Sequence, residues 1–247
     1  MISKNQIKFI QSLHHKKYRN IEELFLVEGE KNVIELLASS TFEIQNIFIW
    51  ENFYQKYKQF LSSFSFEILS WQEINTLSTL QTNDYWIAIV KQKQNISFEN
   101  NNEYILLLDD IKDPGNLGTI IRIADWYGIT KIVCSENTVE WYNPKVIHAT
   151  MGSFCRIQMY YTNLISYIRD INLPIYWAFL TWENIHTMDF EKSWYILIWN
   201  ESNGISKEIE KCITKKITIP QYWNAESLNA GIATAIICDN MRRKLWK

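Results

Sequence analysis

The sequence predicts an α/β protein in two parts. Three observations carry this. Apolar runs of strand length alternate with amphipathic stretches of helix length. The alternation recurs on both sides of one segment. That segment, Gln92 to Glu103, is polar, rich in Asn and Gln and without periodicity, which marks a linker. The expected division is residues 1–93, a linker over 94–103, and residues 104–247.

In the first part, Ile7, Ile10 and Leu13, with Lys and Gln between them, predict a helix starting near Ser3. Leu24–Val27 reads as a short apolar strand, and Glu28-Gly29-Glu30 leads into a helix over 30–39. Ile47–Ile49 and Phe66–Leu69 read as strands separated by a helix around 51–61, and Tyr85–Val90 closes the set. In the second part, Tyr104–Leu108 is a continuous apolar run of the kind buried on both faces. A helix over 117–127 and strands at Lys131–Cys134, Ile175–Phe179, Trp194–Ile198 and Lys216–Ile219 follow, with a last helix from Ser227 to Arg243. Strands alternating with helices predict a mostly parallel sheet covered on both faces.

The 247 residues are 47% hydrophobic and 21% charged, an ordinary balance for a folded domain. No run approaches the ~20 apolar residues of a membrane span. The first residues have no apolar core resembling a secretion signal. Cys134, Cys155, Cys212 and Cys238 form no C-x-x-C pair, so neither a zinc knuckle nor a disulfide framework is expected. The expected compartment is the reducing cytoplasm. The net charge of −2 argues mildly against nucleic acid, but residues 1–20 carry Lys4, Lys8, Lys16, Lys17 and Arg19 with no acid among them. Such a cluster is either a phosphate-contacting patch or a solvated helix face.

Three loops after strands are candidates for chemistry, since ligands of open α/β sheets gather at the carboxyl ends of strands. In Asp109–Ala124, Pro114 and Gly115 make a turn, Asn116 can cap the next helix, and Arg122 follows six residues later. A helix N-terminus beside a basic side chain suits an anion such as a phosphate. In Leu197–Ser206 a carboxylate, Glu201, follows a buried strand. In Ile217–Ala235, Ser227 or Asn229 can cap the final helix. Each loop taken alone is also an ordinary strand exit or turn. His148 and His186 have no recognisable partner and read as structural. A nucleotide-utilising enzyme of another class would call for G-x-x-x-x-G-K-[ST] or G-x-G-x-x-G, and both are missing.

Taken together, Asn116-x-Gly118-x-x-x-Arg122, then Asn200-Glu201-x-x-Gly204-Ile205, then Ile219-Pro220 with Glu226-Ser227-Leu228-Asn229, resemble the three signature motifs of the SpoU (TrmH-like) RNA methyltransferases of the SPOUT superfamily, in the same order. Tyr142–Val146 and Met151–Ser153 are similar to that family between its first two motifs. Ser3 through Arg19 to Phe25–Gly29 resembles the substrate-binding domain often fused ahead of it. The resemblance implies a C-terminal parallel α/β sheet with a deep trefoil knot, preceded by a smaller α/β domain like ribosomal protein L30e that recognises structured RNA. It implies a homodimer with the active site at the subunit interface, and S-adenosylmethionine as cofactor. No metal is implied. The implied reaction is methyl transfer to a ribose 2′-hydroxyl, in rRNA rather than tRNA by analogy with members carrying the fused domain.

Carried over residue by residue, Arg122 would face the target ribose and phosphate, supported by Asn116, with Glu201, Ser227 and Asn229 completing the polar shell. The cofactor would be held by the backbone at Trp199, Ile219 and Leu228, with Asn200, Gly204 and Asn229. Lys4, Lys16, Lys17, Arg19 and Arg122 would contact RNA. Position 199 departs from the family, which has glycine there. A cofactor pocket altered by Trp199 would leave a catalytically impaired RNA-binding relative. Trp182, Trp194 and Trp223 also stand where relatives would have glycine, with Trp177 a further candidate, in a chain with 11 Trp and 7 Gly. Two explanations fit: a reassigned UGA codon rendered as tryptophan where the natural protein has glycine, or drift in an AT-rich genome. UGG codons at these positions would exclude the first.

Overall fold

The chain opens with helices α1 (Lys4–Ser12) and α2 (Lys16–Glu22), followed by strand β1 (Leu24–Glu28), α3 (Glu30–Ala38), β2 (Ile44–Trp50), α4 (Glu51–Leu61), β3 (Phe66–Leu69), α5 (Trp71–Leu77) and β4 (Trp86–Lys91). It continues with β5 (Tyr104–Asp109), α6 (Pro114–Trp126), β6 (Lys131–Ser135), α7 (Pro144–Thr150), β7 (Gln158–Thr162) and α8 (Leu164–Arg169). The last elements are β8 (Ile175–Asn184), β9 (Trp194–Trp199), α9 (Lys207–Glu210), β10 (Lys215–Thr218) and α10 (Ala230–Arg243). This computed structural model describes residues 2–80, 86–99, 103–191, 193–199, 207–222, 224 and 227–243. The chain divides into two units, one of residues up to Gln94 with Glu140–Cys155, the other of Asn95–Val139 with Arg156 onward.

In the first unit the strands lie in the order β1-β4-β2-β3, antiparallel except for the parallel pair β2–β3. Ser3 starts α1 as the sequence predicts, through a capping box with Gln6. A second box, Ser70 with Glu73, starts α5, which the periodicity did not bring out. Ile10, Leu13, Leu24, Leu26, Ile74, Leu77, Ile87 and Ile89 fill one core. Each such side chain contributes roughly 1.5–3 kcal/mol when fully buried. Residues 140–155 complete the unit with an aromatic cluster. Phe25 lies 4.6 Å from Tyr142 and 6.3 Å from Phe154, and Phe42 5.6 Å from Phe154. Gly152, at φ +94°, passes so close to Glu35 on α3 that a Cβ would collide with its side chain.

The second unit is built on a six-stranded sheet, β10-β8-β9-β5-β6-β7, parallel throughout. Strand β5 is buried through Leu108, as its unbroken apolar run predicts. Ile105 and Leu107 face a core shared with Leu164, Ile168 and Leu197. Helices α6 and α10 pack on each other, burying Leu117, Ile120, Ile121 and Ala124 from one and Thr234, Ile237, Cys238 and Met241 from the other. The described part of the polar run carries no helix or strand beyond Lys91, yet it is tied down. Asn95 exchanges two 2.8 Å hydrogen bonds with the backbone of Tyr161, and Phe98 packs on the core.

Along the sheet the chain runs from β5 outward to β6 and β7, then returns to β5's other side with β9. β5 and β9 are therefore neighbours at the switch in strand order, the position at which open α/β sheets bind ligands. No helix among the described residues is long and apolar enough to cross a membrane.

Candidate active site

Strand β5 ends at Asp109, and the loop to α6 is pinned at each step. Asp110 adopts a left-handed conformation (φ 55°), and its N–H donates to Ser135 Oγ at 2.8 Å. Ile111 is buried, and its carbonyl accepts from Val139 N–H at 2.8 Å. Lys112 pairs with Asp110 at 2.6 Å and donates to the Asn137 carbonyl at 2.7 Å. Asp113 then caps α6, its carboxylate accepting from Asn116 N–H at 2.7 Å, with Pro114 in the first turn. The sequence reading gave this cap to Asn116 and started the helix near residue 117. The correction follows from Pro114, which suits the first helical position and so places the cap on the residue before it.

Relieved of capping, the Asn116 side chain serves another purpose. Its Oδ1 accepts from Nδ2 of Asn229 at 2.7 Å. The Oδ1 of Asn229 accepts from the N–H groups of Gly231 (3.0 Å) and Ile232 (3.3 Å), so Asn229 caps α10 as one of the two expected candidates. One amide thus closes the start of one helix and ties it to the start of another. Gly231 lets the two approach, since a Cβ there would lie 3.0 Å from Thr119 Cγ2 on α6. The positive ends of both helix dipoles meet at this point, which suits an anionic or electron-rich ligand. Asn229→Ala is expected to destabilise the protein by about 1 kcal/mol through the lost cap. Asn116→Ala should cost less, since it removes one bond only. Urea unfolding of both single variants and the double would give a coupling of about 0.5–1 kcal/mol; strict additivity would mean that the amides do not act as a pair.

Arg122 is exposed on α6, and no described residue pairs with its guanidinium. Trp199 ends β9 opposite Asp109 in the sheet register, half-buried, its ring edge-on to Trp177 at 5.1 Å. Ile219 is half-buried just after β10, and Ser227 and Leu228 are exposed just before α10. Asn200, Glu201 and Gly204 lie outside the described residues. In the first unit Lys4, Lys16 and Lys17 are exposed. Arg19 is a correction. Its side chain is 2% exposed and locked in an ion pair with Glu140, so it is not available to RNA. Among the described residues no group of three His, Cys, Asp or Glu side chains is placed to hold a metal ion.

Sequence reasoning missed Asp109. Burial pushes its carboxyl above the usual range, against the opposing effect of its hydrogen bond with Ser135, while neighbouring Asp110 raises it further. A raised carboxyl is one whose ionised form the fold disfavours. Its cost is therefore absent below the unfolded value of ~3.9 and present above the folded one. Asp109→Asn is expected to raise Tm at pH 7 and to leave it unchanged near pH ~3. Equal shifts in thermal unfolding at both pH values would contradict the assignment. The signal available in the sequence was its place at the carboxyl end of a fully buried strand.

The SpoU rRNA Methylase family model matches residues 103–239, and the MRM3-like substrate binding domain model matches residues 4–88. The chain is 27% identical to the 23S rRNA (guanosine(2553)-2′-O)-methyltransferase RlmP of Bacillus subtilis, over 97% of each chain. It is similar to the structure of a protein from Porphyromonas gingivalis described as an RNA methyltransferase of the TrmH family, with 31% identity, 98% and 99% of the two chains covered and a TM-score of 0.85. It is also similar to an AdoMet-bound rRNA methyltransferase from Sinorhizobium meliloti, with 27% identity, 100% and 97% coverage and a TM-score of 0.85.

Proposed function

The chain belongs to the SpoU rRNA methylase family, and from that premise we propose that it methylates a ribose 2′-oxygen of ribosomal RNA, using S-adenosylmethionine, in the cytoplasm. The observation that carries this is the Asn116–Asn229 bond, which brings the first and third motifs together at the carboxyl edge of the sheet. The two matched segments support a division into an RNA-binding part and a catalytic part on either side of 94–103.

The residues present suit such a cofactor. Ile219 and Leu228 offer apolar contact beside polar amides, the mixture an adenosine calls for. In this reading the backbone at 199, 219 and 228, with Asn200, Gly204 and Asn229, holds the cofactor, and the chain is knotted around it. Bound S-adenosylmethionine supplies a methyl group on a sulfonium, an electrophile that needs no metal. The chain must align a ribose oxygen with that methyl and ease the loss of the hydroxyl proton. Arg122 does the latter electrostatically. A guanidinium stays charged, so it stabilises the developing alkoxide rather than accepting its proton. Asn116 and Asn229 fix the helix ends, and Glu201 and Ser227 complete the polar shell.

Lys4, Lys16 and Lys17 contact phosphates in this reading. Tyr18 beside them, partly exposed with the Lys17 ammonium 5.8 Å from its ring centre, offers a face to an unpaired base. Trp126 on α6 is 83% exposed and Ile232 on α10 53%. Large apolar side chains left in water on two packed helices support a homodimer. The test is transfer of labelled methyl groups to deproteinised rRNA and to tRNA, with mass by light scattering. Label in rRNA alone, by a dimer, is expected; label in tRNA alone would overturn the substrate choice. Trp199 favours the alternative of an impaired RNA-binding relative, and a chain that binds rRNA but not S-adenosylmethionine would bear that out.

A further inference from the structure

Among the described residues three that are not glycine have a positive φ: Glu23, Asp110 and Met151. Glu23 and Met151 end helices α2 and α7, where a left-handed residue is routine. Asp110 ends no helix. It stands at φ 55° between β5 and the first motif, in a conformation that the Cβ of a side chain disfavours. Backbone of this kind persists only where its surroundings hold it in place.

The hold comes from the end of β6 and the turn after it. Asp110 N–H donates to Ser135 Oγ at 2.8 Å, and the same hydroxyl bonds the Asp109 carboxyl. Ser135 is buried, with Thr138 Oγ1 3.2 Å from its Oγ and Thr138 N–H donating to its carbonyl at 2.9 Å. On either side of Asp110 the chain is anchored to the same turn. Thr138 donates to the Leu108 carbonyl at 3.3 Å, and Val139 N–H to the Ile111 carbonyl at 2.8 Å. Tyr161 Oη in turn fixes the Val139 carbonyl at 2.8 Å. All of these residues lie in the second unit.

Anchoring 108 and 111 would hold the ends of the bend whatever lay between them. The Ser135 bond is different, since it meets the left-handed residue itself. A change of φ at 110 would swing the chain that follows, where Asp113 caps α6, Asn116 meets Asn229 and the helix carries Arg122. We propose that Ser135 is a positioning residue for methyl transfer: its hydroxyl keeps Asp110 left-handed and so sets how α6 presents Arg122 to the ribose. This rests on the function proposed above. In this assignment Ser135 touches neither substrate nor cofactor.

The test uses the full chain with S-adenosylmethionine and rRNA, comparing the parent with Ser135→Ala, Asp110→Gly and the two combined. Cofactor affinity, kcat, KM for RNA and hydrogen exchange at the residue 110 amide are measured well below Tm, which is recorded for each variant. Ser135→Ala is expected to lose about tenfold or more in kcat, with cofactor affinity and KM within about threefold and faster exchange at 110. Glycine adopts a left-handed backbone without strain, so the hydroxyl has less to hold in that background. The combined variant is therefore expected to match Asp110→Gly alone in kcat to within about threefold. Unchanged kcat in folded Ser135→Ala, even with a lower Tm, makes the bond structural only and overturns the proposal. So does a loss confined to KM, or a loss of the same factor in both backgrounds. Should Ser135→Ala fail to fold, the combined variant decides: folding with the kcat of Asp110→Gly supports the proposal, and failure to fold overturns it. A parent chain that transfers no methyl group defeats the function and this role together, whereas an active parent with any of the contrary results defeats this role alone.

Discussion

Arg122→Ala is expected to lower methyl transfer roughly 100- to 1,000-fold, the usual cost of removing one donor aimed at developing negative charge. Cofactor affinity should stay within a factor of about two, because the cofactor is assigned to backbone elsewhere, at 199, 219 and 228. Tm should hardly move, since Arg122 is exposed and no described residue pairs with it. Arg122→Lys keeps the charge and loses the fork, so partial activity is expected. The pH dependence distinguishes two roles. A base would impose its own ionisation on the rate. An electrostatic activator leaves the shape of the profile alone, and the lysine variant should then parallel the parent. Unaltered kcat in the alanine variant would remove Arg122 from the chemistry.

Trp199→Gly should move two properties in opposite directions. The indole ends β9 beside Asp109 and packs edge-on against Trp177. Its removal costs stability, up to about 3 kcal/mol for a half-buried aromatic and seen as a lower Tm. Cofactor affinity should rise about tenfold or more, because glycine frees the backbone for close approach and clears the volume of the ring. A simple packing residue would lower both together. A fall in affinity with the fall in Tm would show that the indole is part of the cofactor site. UGA codons at 199 and at Trp182, Trp194 and Trp223 would make glycine the natural residue. The buried indole N–H of Trp194, which has no partner among the described residues, fits a side chain in an uncomfortable place.

Local chemistry was the most legible part of this molecule. The unbroken run Tyr104–Leu108 announced a central strand because burial on both faces leaves no polar alternation to obscure it. The spacing of Ile7, Ile10 and Leu13 announced the first helix, while the signature that marks α5, the capping box of Ser70 and Glu73, is not a matter of periodicity. Strand β7 was missed because it is an edge strand, with partial burial and a mixed sequence, Gln-Met-Tyr-Tyr-Thr. Contacts between distant residues were the illegible part. Arg19 reads as a surface cation because its partner lies 121 residues away. Residues 140–155 read as part of the second half because nothing local shows that they complete the first unit's aromatic cluster. At the site, Asn116 and Asn229 were both singled out, but their bond was not foreseeable, since it depends on how closely α6 and α10 approach.

The most direct test is to find where the methyl group goes. The protein is incubated with rRNA and methyl-labelled S-adenosylmethionine, and the RNA is hydrolysed in alkali and digested to nucleosides for mass spectrometry. Label on the ribose 2′-oxygen, protecting the adjoining phosphodiester from alkali, is the expected result. Label on a base, or none from either the parent or a folded Trp199→Gly variant, would contradict it.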